Sequence, residues 1–241
     1  MSIFSLLLSL GTLAGLVLVA IRAPKKLTFR YIDAALGVLL SALVVSRLAY
    51  VFTNWAYFHL HASEIYQVWL GGLSAPGALL GAFLGMALLV ARRTFHLGPL
   101  ADGLLPLLGS LSVAAWLGCW SDGTAYGAPS TAWYALPAID EWGALAPRLP
   151  VQLLGALLNL LLFIGLEYAQ VWLRRPGMAA CLGLVGWGWV FFGLSFLRAD
   201  PVQVWLGLRL EAWGAFGVAA VGLAGIAALL LRPKQPKTAI G

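Results

Sequence analysis

The chain has 241 residues, 61% of them hydrophobic and only 10% charged, with a mean hydropathy of +0.91. These proportions exclude an ordinary soluble domain and put most of the mass in lipid. The net charge of +6 does not indicate nucleic acid, because the basic residues form short clusters beside predicted helix ends, where anionic lipid headgroups are the matching partner.

Crossing a ~30 Å hydrocarbon core takes about 20 apolar residues, and the sequence predicts seven such spans, at 2–21, 32–53, 76–91, 100–119, 151–173, 178–198 and 211–231. The third is the shortest. No span shows the alternation of a barrel strand, so helices that satisfy their own backbone are expected. The predicted fold is an all-α integral membrane protein, one polytopic domain over 1–231 followed by a basic tail at 232–241. Span one lacks a positive region before it and is followed by Arg22, Lys25, Lys26 and Arg30, which reads as a retained helix rather than a signal peptide.

Span two carries Arg47 about six residues, or roughly 9 Å, from its end. An intramembrane charge is a functional hypothesis by default, and a guanidinium fork matches phosphate oxygens; snorkelling to the headgroups explains it equally well. The next connection, 53–75, holds Trp55, Tyr57, His59, His61, Tyr66 and Trp69, a composition suited to the lipid interface. It runs into Gly71-Gly72-Leu73-Ser74-Ala75-Pro76-Gly77-Ala78-Leu79-Leu80-Gly81. Pro76 fits a first helical turn, and Gly72, Ser74 and Gly77 are candidates for placing backbone N–H groups around an anion, although glycines at such a place more often serve packing.

Span four ends in Gly118-Cys119-Trp120-Ser121-Asp122-Gly123-Thr124-Ala125-Tyr126-Gly127. Asp122-Gly123 is a turn signal, Asp122 a candidate general base and Cys119 a candidate nucleophile, each set against a plain reading as a solvated turn acid and a buried thiol. Cys119 and Cys181 show no CxxC spacing and have no histidine companions, so neither a metal site nor a disulfide framework is predicted, and no cofactor is expected. The longest connection, 120–150, is rich in Gly, Pro and aromatic residues. Arg198 closes span six before Asp200-Pro201, where a helix dipole favours a cation.

Eleven of the fifteen lysines and arginines follow spans one, three, five and seven. By the positive-inside rule the amino terminus is expected outside and the carboxyl terminus in the cytoplasm. Apart from Arg47 no ionisable residue lies clearly deep in a span, which leaves a channel or proton relay little to work with.

The order of these pieces resembles the prolipoprotein diacylglyceryl transferases from about Leu8 to Arg232. Arg47-Leu48-Ala49-Tyr50 resembles that family's Arg-X-Gly-Tyr, Gly71 to Gly81 its glycine block, Gly118 to Gly127 its signature loop, Pro147-Arg148-Leu149-Pro150-Val151-Gln152-Leu153 its Pro-Arg-His-Pro-Ser-Gln-Leu, and Gly186 to Arg198 its sixth span. The resemblance implies a multi-pass protein of the bacterial inner membrane that moves a diacylglyceryl group from phosphatidylglycerol to a lipobox cysteine thiol and releases glycerol phosphate. It implies phosphatidylglycerol or another anionic lipid, and a prolipoprotein signal peptide, as partners. It also places departures. The family histidine falls at Pro76, the loop's arginine, asparagine and glutamate at Trp116, Cys119 and Thr124, the sixth-span arginine and glutamate at Phe191 and Ser195, and a tyrosine at Leu8, while Arg47, Arg148, Gln152, Arg198, Gly118 and Gly127 persist. Losing one buried charge strands its partner at a cost of roughly 3–5 kcal/mol; losing the set together avoids that. Two expectations follow: a homologue that binds anionic phospholipid through Arg47, Gly72, Ser74, Gly77, Gly118, Gly127, Arg148, Gln152 and Arg198 with impaired or lost transfer activity, or a non-catalytic scaffold or accessory subunit of a larger membrane complex.

Overall fold

The computed structural model describes residues 3–68, 72–140, 142–173 and 175–231. Trp69, Leu70 and Gly71 of the glycine-block approach, Glu141, Arg174 and the basic tail expected at 232–241 lie outside the described residues. The described helices are α1 (Ile3–Arg22), α2 (Thr28–Thr53), α3 (Trp55–Phe58), α4 (Ala75–Ala91), α5 (Leu97–Ser121), α6 (Val151–Ala169), α7 (Met178–Ser195) and α8 (Leu210–Leu231). A 3-10 turn at Ala62–Glu64 and the short strands β1 (Leu136–Ile139), β2 (Leu145–Arg148), β3 (Val204–Trp205) and β4 (Leu208–Arg209) complete the set.

Among the described residues, α1, α2, α5, α6, α7 and α8 are long and apolar enough to cross a bilayer, and each overlies a predicted span. Helix α4 overlies the third; its 17 residues extend about 25 Å at 1.5 Å per residue. Leu13, Val17, Leu40, Leu84, Leu161 and Leu223 stand exposed along the helices, as side chains solvated by acyl chains would. The chain divides into two compact units, Met1–Asp122 and Gly123–Gly241.

In the first unit α1 packs on α5 and α2 on α4. Apolar burial gives little drive between helices in lipid, so close backbone approach has to supply van der Waals contact. Gly11 and Gly15 of α1 lie four residues apart and meet Ala114, Ser110 and Leu107 of α5. On α4 the row Gly77, Gly81, Gly85 meets Ala49, Ser46, Ala42, Ser41 and Val38 of α2. Two hydroxyls tie that pair: Ser41 Oγ donates to Gly81 O at 2.7 Å and Ser46 Oγ to Ser74 O at 2.8 Å. A core of Val19, Tyr31, Ala34, Ala35, Val38, Leu100, Leu104 and Leu107 closes one end of the unit.

In the second unit α7 packs on α8 and α6 on α7. Gly188 sits against the Ala215–Ala219 backbone and Gly222 against Cys181 and Val185. The long connection holds more order than its composition announced. β1 pairs antiparallel with β2, Leu136 opposite Arg148 and Ile139 opposite Leu145. A second hairpin, β3 with β4, turns through Leu206 (φ 49°) and Gly207 (φ 77°), the two positive φ angles that a two-residue hairpin turn requires.

The glycine row makes a direct prediction. A Cβ at Gly81 would fall 2.5 Å from Ser41 O and 2.7 Å from Ala42 Cα, backbone atoms that cannot swing away, so Gly81→Ala is expected to destabilise by about 1–3 kcal/mol. Gly37→Ala, on the exposed side of α2 with nothing within 4 Å, is expected to be neutral or to stabilise by up to ~1 kcal/mol. Unfolding of the full chain in mixed micelles against denaturing detergent reads both.

Candidate functional site

Arg47 reaches the position expected for it and is 6% exposed. Its guanidinium does not run out along the helix to the surface. Nε donates to Ile65 O at 2.8 Å, Nη1 to Gly72 O at 3.0 Å and Nη2 to Glu64 O at 2.5 Å. Its planar carbon also lies 5.3 Å from the Phe58 ring centre and 5.9 Å from that of Tyr50, within cation–π range. Carbonyl dipoles of the α2–α4 connection thus help to solvate the cation, and the connection is folded around it.

The glycine block starts α4 in the manner its residues suggest. Ser74 is the N-cap, its Oγ accepting from Gly77 N at 3.3 Å, and Pro76 occupies the first turn, where a missing N–H costs nothing. Gly72 has φ 75°, and a Cβ there would collide with the Tyr50 ring and Arg47 Nη1, so both conformation and space demand glycine. The N–H groups of Gly77 and Ala78 are taken by Ser74 Oγ and Ser74 O.

Arg47, Gly72, Tyr50, Asn54, Tyr57, Phe58 and Glu64 line a cavity of about 400 Å³. Tyr57 donates its hydroxyl to Glu64 Oε2 at 2.9 Å. That bond holds the phenol above its ordinary value of 10.0, with loss of hydration and the carboxylate's charge adding to it. His61 stacks on Tyr57 with ring centres 4.3 Å apart and, like His59, bonds a main-chain carbonyl four residues back. Sequence reasoning missed Glu64, Tyr57 and Asn54 as cavity residues; their shared nearness to Arg47 follows from a loop closure that no local motif encodes.

The second unit holds the other arginines. Arg148 is 7% exposed, pairs with Asp140 at 2.9 Å and lies 4.6 Å from the Tyr126 ring centre. Asp140 in turn accepts from Trp142 N at 3.0 Å and Ala144 N at 2.8 Å, closing the β1–β2 turn. Gln152, 1% exposed, donates to Thr124 O at 2.9 Å. Arg198 was expected at the end of its helix, but α7 stops at Ser195. The chain leaves the helix because Ala128 N bonds Leu197 O at 3.0 Å and Ala199 N bonds Tyr126 O at 2.9 Å. Arg198 therefore pairs opposite Gly127 in an isolated bridge, as Pro129 does with Arg148. Its guanidinium meets Asp200 at 2.6 Å and Glu211 at 2.6 Å, and Arg209 shares Asp200 at 2.9 Å. Carboxylates rather than a helix dipole hold this cation. Asp200, Glu211 and Arg209 were not foreseen as its partners, although Arg-Ala-Asp is a local signal for the first pair.

At the positions where the resemblance places departures, Trp116 is 3% exposed in α5, Phe191 stacks on Trp187 at 4.1 Å and Ser195 Oγ bonds Phe192 O at 2.6 Å. Gly118 packs under Phe4. Asp122, exposed at the end of α5, accepts only a long 3.4 Å contact from Ser121 Oγ among the bonds resolved for it, and Cys119 is half-buried. Among the described residues no group of three His, Cys, Asp or Glu side chains could hold a metal ion.

The family model described as prolipoprotein diacylglyceryl transferase matches residues 1–228. The chain is 32% identical over 184 residues to a phosphatidylglycerol–prolipoprotein diacylglyceryl transferase of Methylocella silvestris, covering 70% of this chain and 62% of that one. Proteins of the same description from Gloeobacter violaceus and Thermosynechococcus vestitus are 28% and 23% identical, covering 83% and 76% of this chain and 78% and 75% of theirs. The chain thus spans less than two thirds of the length of the first of these relatives and about three quarters of the other two.

Two outcomes follow from the geometry. Asp140→Ala strands buried Arg148 and is expected to cost ~3–5 kcal/mol, most of it recovered in the Asp140→Ala/Arg148→Met double variant; melting of the purified chain in detergent compares them. For Tyr57 the phenol is raised, so its bond to Glu64 is intact below 10.0 and is lost as pH climbs through the raised value. A tyrosinate absorbance titration of wild type against Tyr57→Phe should show one step missing above that of an ordinary phenol.

Proposed function

Because this chain belongs to the prolipoprotein diacylglyceryl transferase family, a multi-pass protein of the bacterial inner membrane, we propose that it binds the headgroup of an anionic phospholipid such as phosphatidylglycerol at the Arg47 cavity and that the family's transfer reaction is impaired or lost in it. The proposed orientation has the amino terminus outside and α4 as a seventh, short crossing, as the basic clusters suggest, so that the cavity opens to the outer leaflet.

Diacylglyceryl transfer to a lipobox thiol needs cations to hold the phosphate that leaves and a base to form thiolate, the attacking species. One observation carries the reading that this is compromised: Arg47, Arg148 and Arg198 all spend donors on the protein's own carbonyls and carboxylates. Pro76, Trp116, Cys119, Thr124, Phe191 and Ser195 stand where the resemblance calls for titratable or strongly polar groups. Asp122 remains as a carboxylate without a thiol or imidazole bonded to it. Binding is better supported than catalysis, because Arg47 stands beside a cavity whereas Arg148 and Arg198 are paired with carboxylates.

A second reading, an accessory subunit or scaffold in a larger membrane assembly, is favoured by one feature of α7 and α8. Trp189, Phe192, Phe196, Phe216, Trp213 and Trp205 form a continuous run of ring contacts, and Trp189, Phe196, Phe216 and Trp205 are 45–60% exposed. Such a face fits another membrane helix as well as lipid.

Expression in a bacterium depleted of its own diacylglyceryl transferase tests the first reading. The expected outcome is no rescue and no diacylglyceryl mass added to a model prolipoprotein, with phosphatidylglycerol retained on the purified chain. Robust lipidation would sink the loss of transfer activity.

A further inference from the structure

The end of the first unit opposite the Arg47 cavity gathers positive charge. The core of Val19, Tyr31, Leu100 and Leu104 brings the end of α1 and the starts of α2 and α5 together, and Arg30 Nη2 donates to Thr94 O at 2.8 Å, which adds the end of α4. Arg22, Lys25, Lys26, Arg30, Arg92 and Arg93 belong to this end, against the acids Asp33 and Asp102. Between the last turns of α4 and the start of α5 lies a second cavity of about 400 Å³, lined by Phe83, Met86, Ala87, Val90, Ala91 and Leu97. All six side chains are apolar. Phe83, Met86, Ala87 and Val90 follow the i, i+3, i+4, i+7 spacing of one helix face, so the groove runs about 10 Å along the axis of α4.

Residues 92–96, which join the two walls of this groove, form a fixed turn that carries two guanidiniums. Arg93 N bonds Val90 O at 2.9 Å and Thr94 N bonds Leu89 O at 3.2 Å, the bond pair of a Schellman ending. Arg93 therefore takes the left-handed position, φ 55°, which glycine normally fills because a β-carbon is strained there. Thr94 Oγ1 donates to Leu89 O at 2.6 Å, and the Arg30 guanidinium lies 5.3 Å from the Phe95 ring centre, so the turn is held from both sides. Arg92 and Arg93 are exposed, and among the described residues neither is paired with a carboxylate as Arg148 and Arg198 are. The chain accepts backbone strain to set a second cation beside an apolar groove.

An extended acyl chain lies parallel to a membrane helix and fills a groove of this kind, and its headgroup then meets the arginines. Helix α4, with 17 residues, is about 25 Å long against a hydrocarbon core of ~30 Å, which keeps its terminal arginines at the level of lipid phosphates. A second copy of the chain is a poor occupant, because it would bring the same basic cluster to face this one. We propose that the α4–α5 groove and the Arg92–Arg93 turn hold one anionic phospholipid, with an acyl chain in the groove and the phosphate against the two guanidiniums. Recognition is by charge and chain, not by headgroup hydroxyls. The lipid is a bound component of the fold rather than a substrate, and in the orientation proposed above it belongs to the cytoplasmic leaflet. The site is independent of what the Arg47 cavity binds.

The test is lipid binding by the full chain in detergent, read by native mass spectrometry with phosphatidylserine and phosphatidylcholine of matched acyl chains, and by melting with and without each lipid. Wild type is expected to hold one phosphatidylserine that Arg92→Gln/Arg93→Gln binds roughly thirty-fold more weakly, the scale of two basic residues at a lipid surface. Lys25→Gln/Lys26→Gln removes the same charge away from the groove and should lose about three-fold or less. Ala87→Trp fills the groove, keeps both arginines and should lose the same lipid. Arg93→Gly separates ligand binding from structure: relief of the strained φ should raise the lipid-free melting temperature, while the further rise on adding phosphatidylserine shrinks. Equal losses in the two double variants, or phosphatidylcholine bound as tightly as phosphatidylserine, overturn the site in favour of diffuse attraction or plain acyl contact. Wild-type affinity in Arg93→Gly overturns the role of the turn. A detergent-stable dimer that Ala87→Trp breaks assigns the groove to a second copy and overturns the lipid.

Discussion

A guanidinium placed inside a membrane helix has to find acceptors, and the way Arg47 finds them organises the first unit. Arg47 bonds the carbonyls of Glu64, Ile65 and Gly72. Two stretches of the α2–α4 connection, Glu64-Ile65 and Gly72, are thereby drawn to one point on α2. The Glu64 side chain is brought round to Tyr57, Gly72 is pressed into a conformation only glycine tolerates, and the chain arrives at Ser74 aligned to cap α4. The cavity is a by-product of this folding, with walls set by what remains after the arginine is satisfied.

The second unit meets the same constraint with charge instead of dipoles. Arg148 takes Asp140, and Arg198 and Arg209 share Asp200 while Arg198 also takes Glu211. Buried pairs of this kind contribute little net stability, because desolvation of both partners offsets their attraction. What they supply is geometry. Asp140 joins a turn, a strand and a guanidinium through two oxygens, and the segment 126–130 is held between Arg148 at the end of β2 and the stretch 197–199 around Arg198. The two units thus differ in what surrounds their arginines: main-chain carbonyls and a cavity in one, carboxylates in the other.

How much of this was legible in the sequence depends on the range of the interaction. Helix positions follow from runs of apolar residues, and the start of α4 from Ser74 and Pro76, since both signals are local. Asp122-Gly123 marks the end of α5 for the same reason. The family, too, is legible, because the order of short motifs survives where their titratable residues do not. The end of α7 was placed three residues too far, since only the backbone pairing of Leu197 and Ala199 with a segment some 70 residues earlier pulls Arg198 out of the helix. Bonds from Arg47 to carbonyls are invisible to residue patterns altogether, because every residue has a carbonyl. The hairpin from Leu136 to Arg148 was hidden by proline and glycine, which announce turns and leave the strands between them unmarked.

The pairing of α1 with α5 has a bearing on how the chain is made. Gly11 and Gly15 carve the face of α1 that receives Ala114 and Ser110, but α1 ends at Arg22 and α5 begins only at Leu97. At synthesis rates of ~5–20 residues per second the first helix waits several seconds in the bilayer with its notched side unfilled. Helices α2 and α4 emerge in between and can close on each other without it. The ribosome therefore delivers the inner pair before the outer one, and the notch on α1 stays open to lipid, or to whatever insertion machinery shields it, until the last helix of the unit arrives.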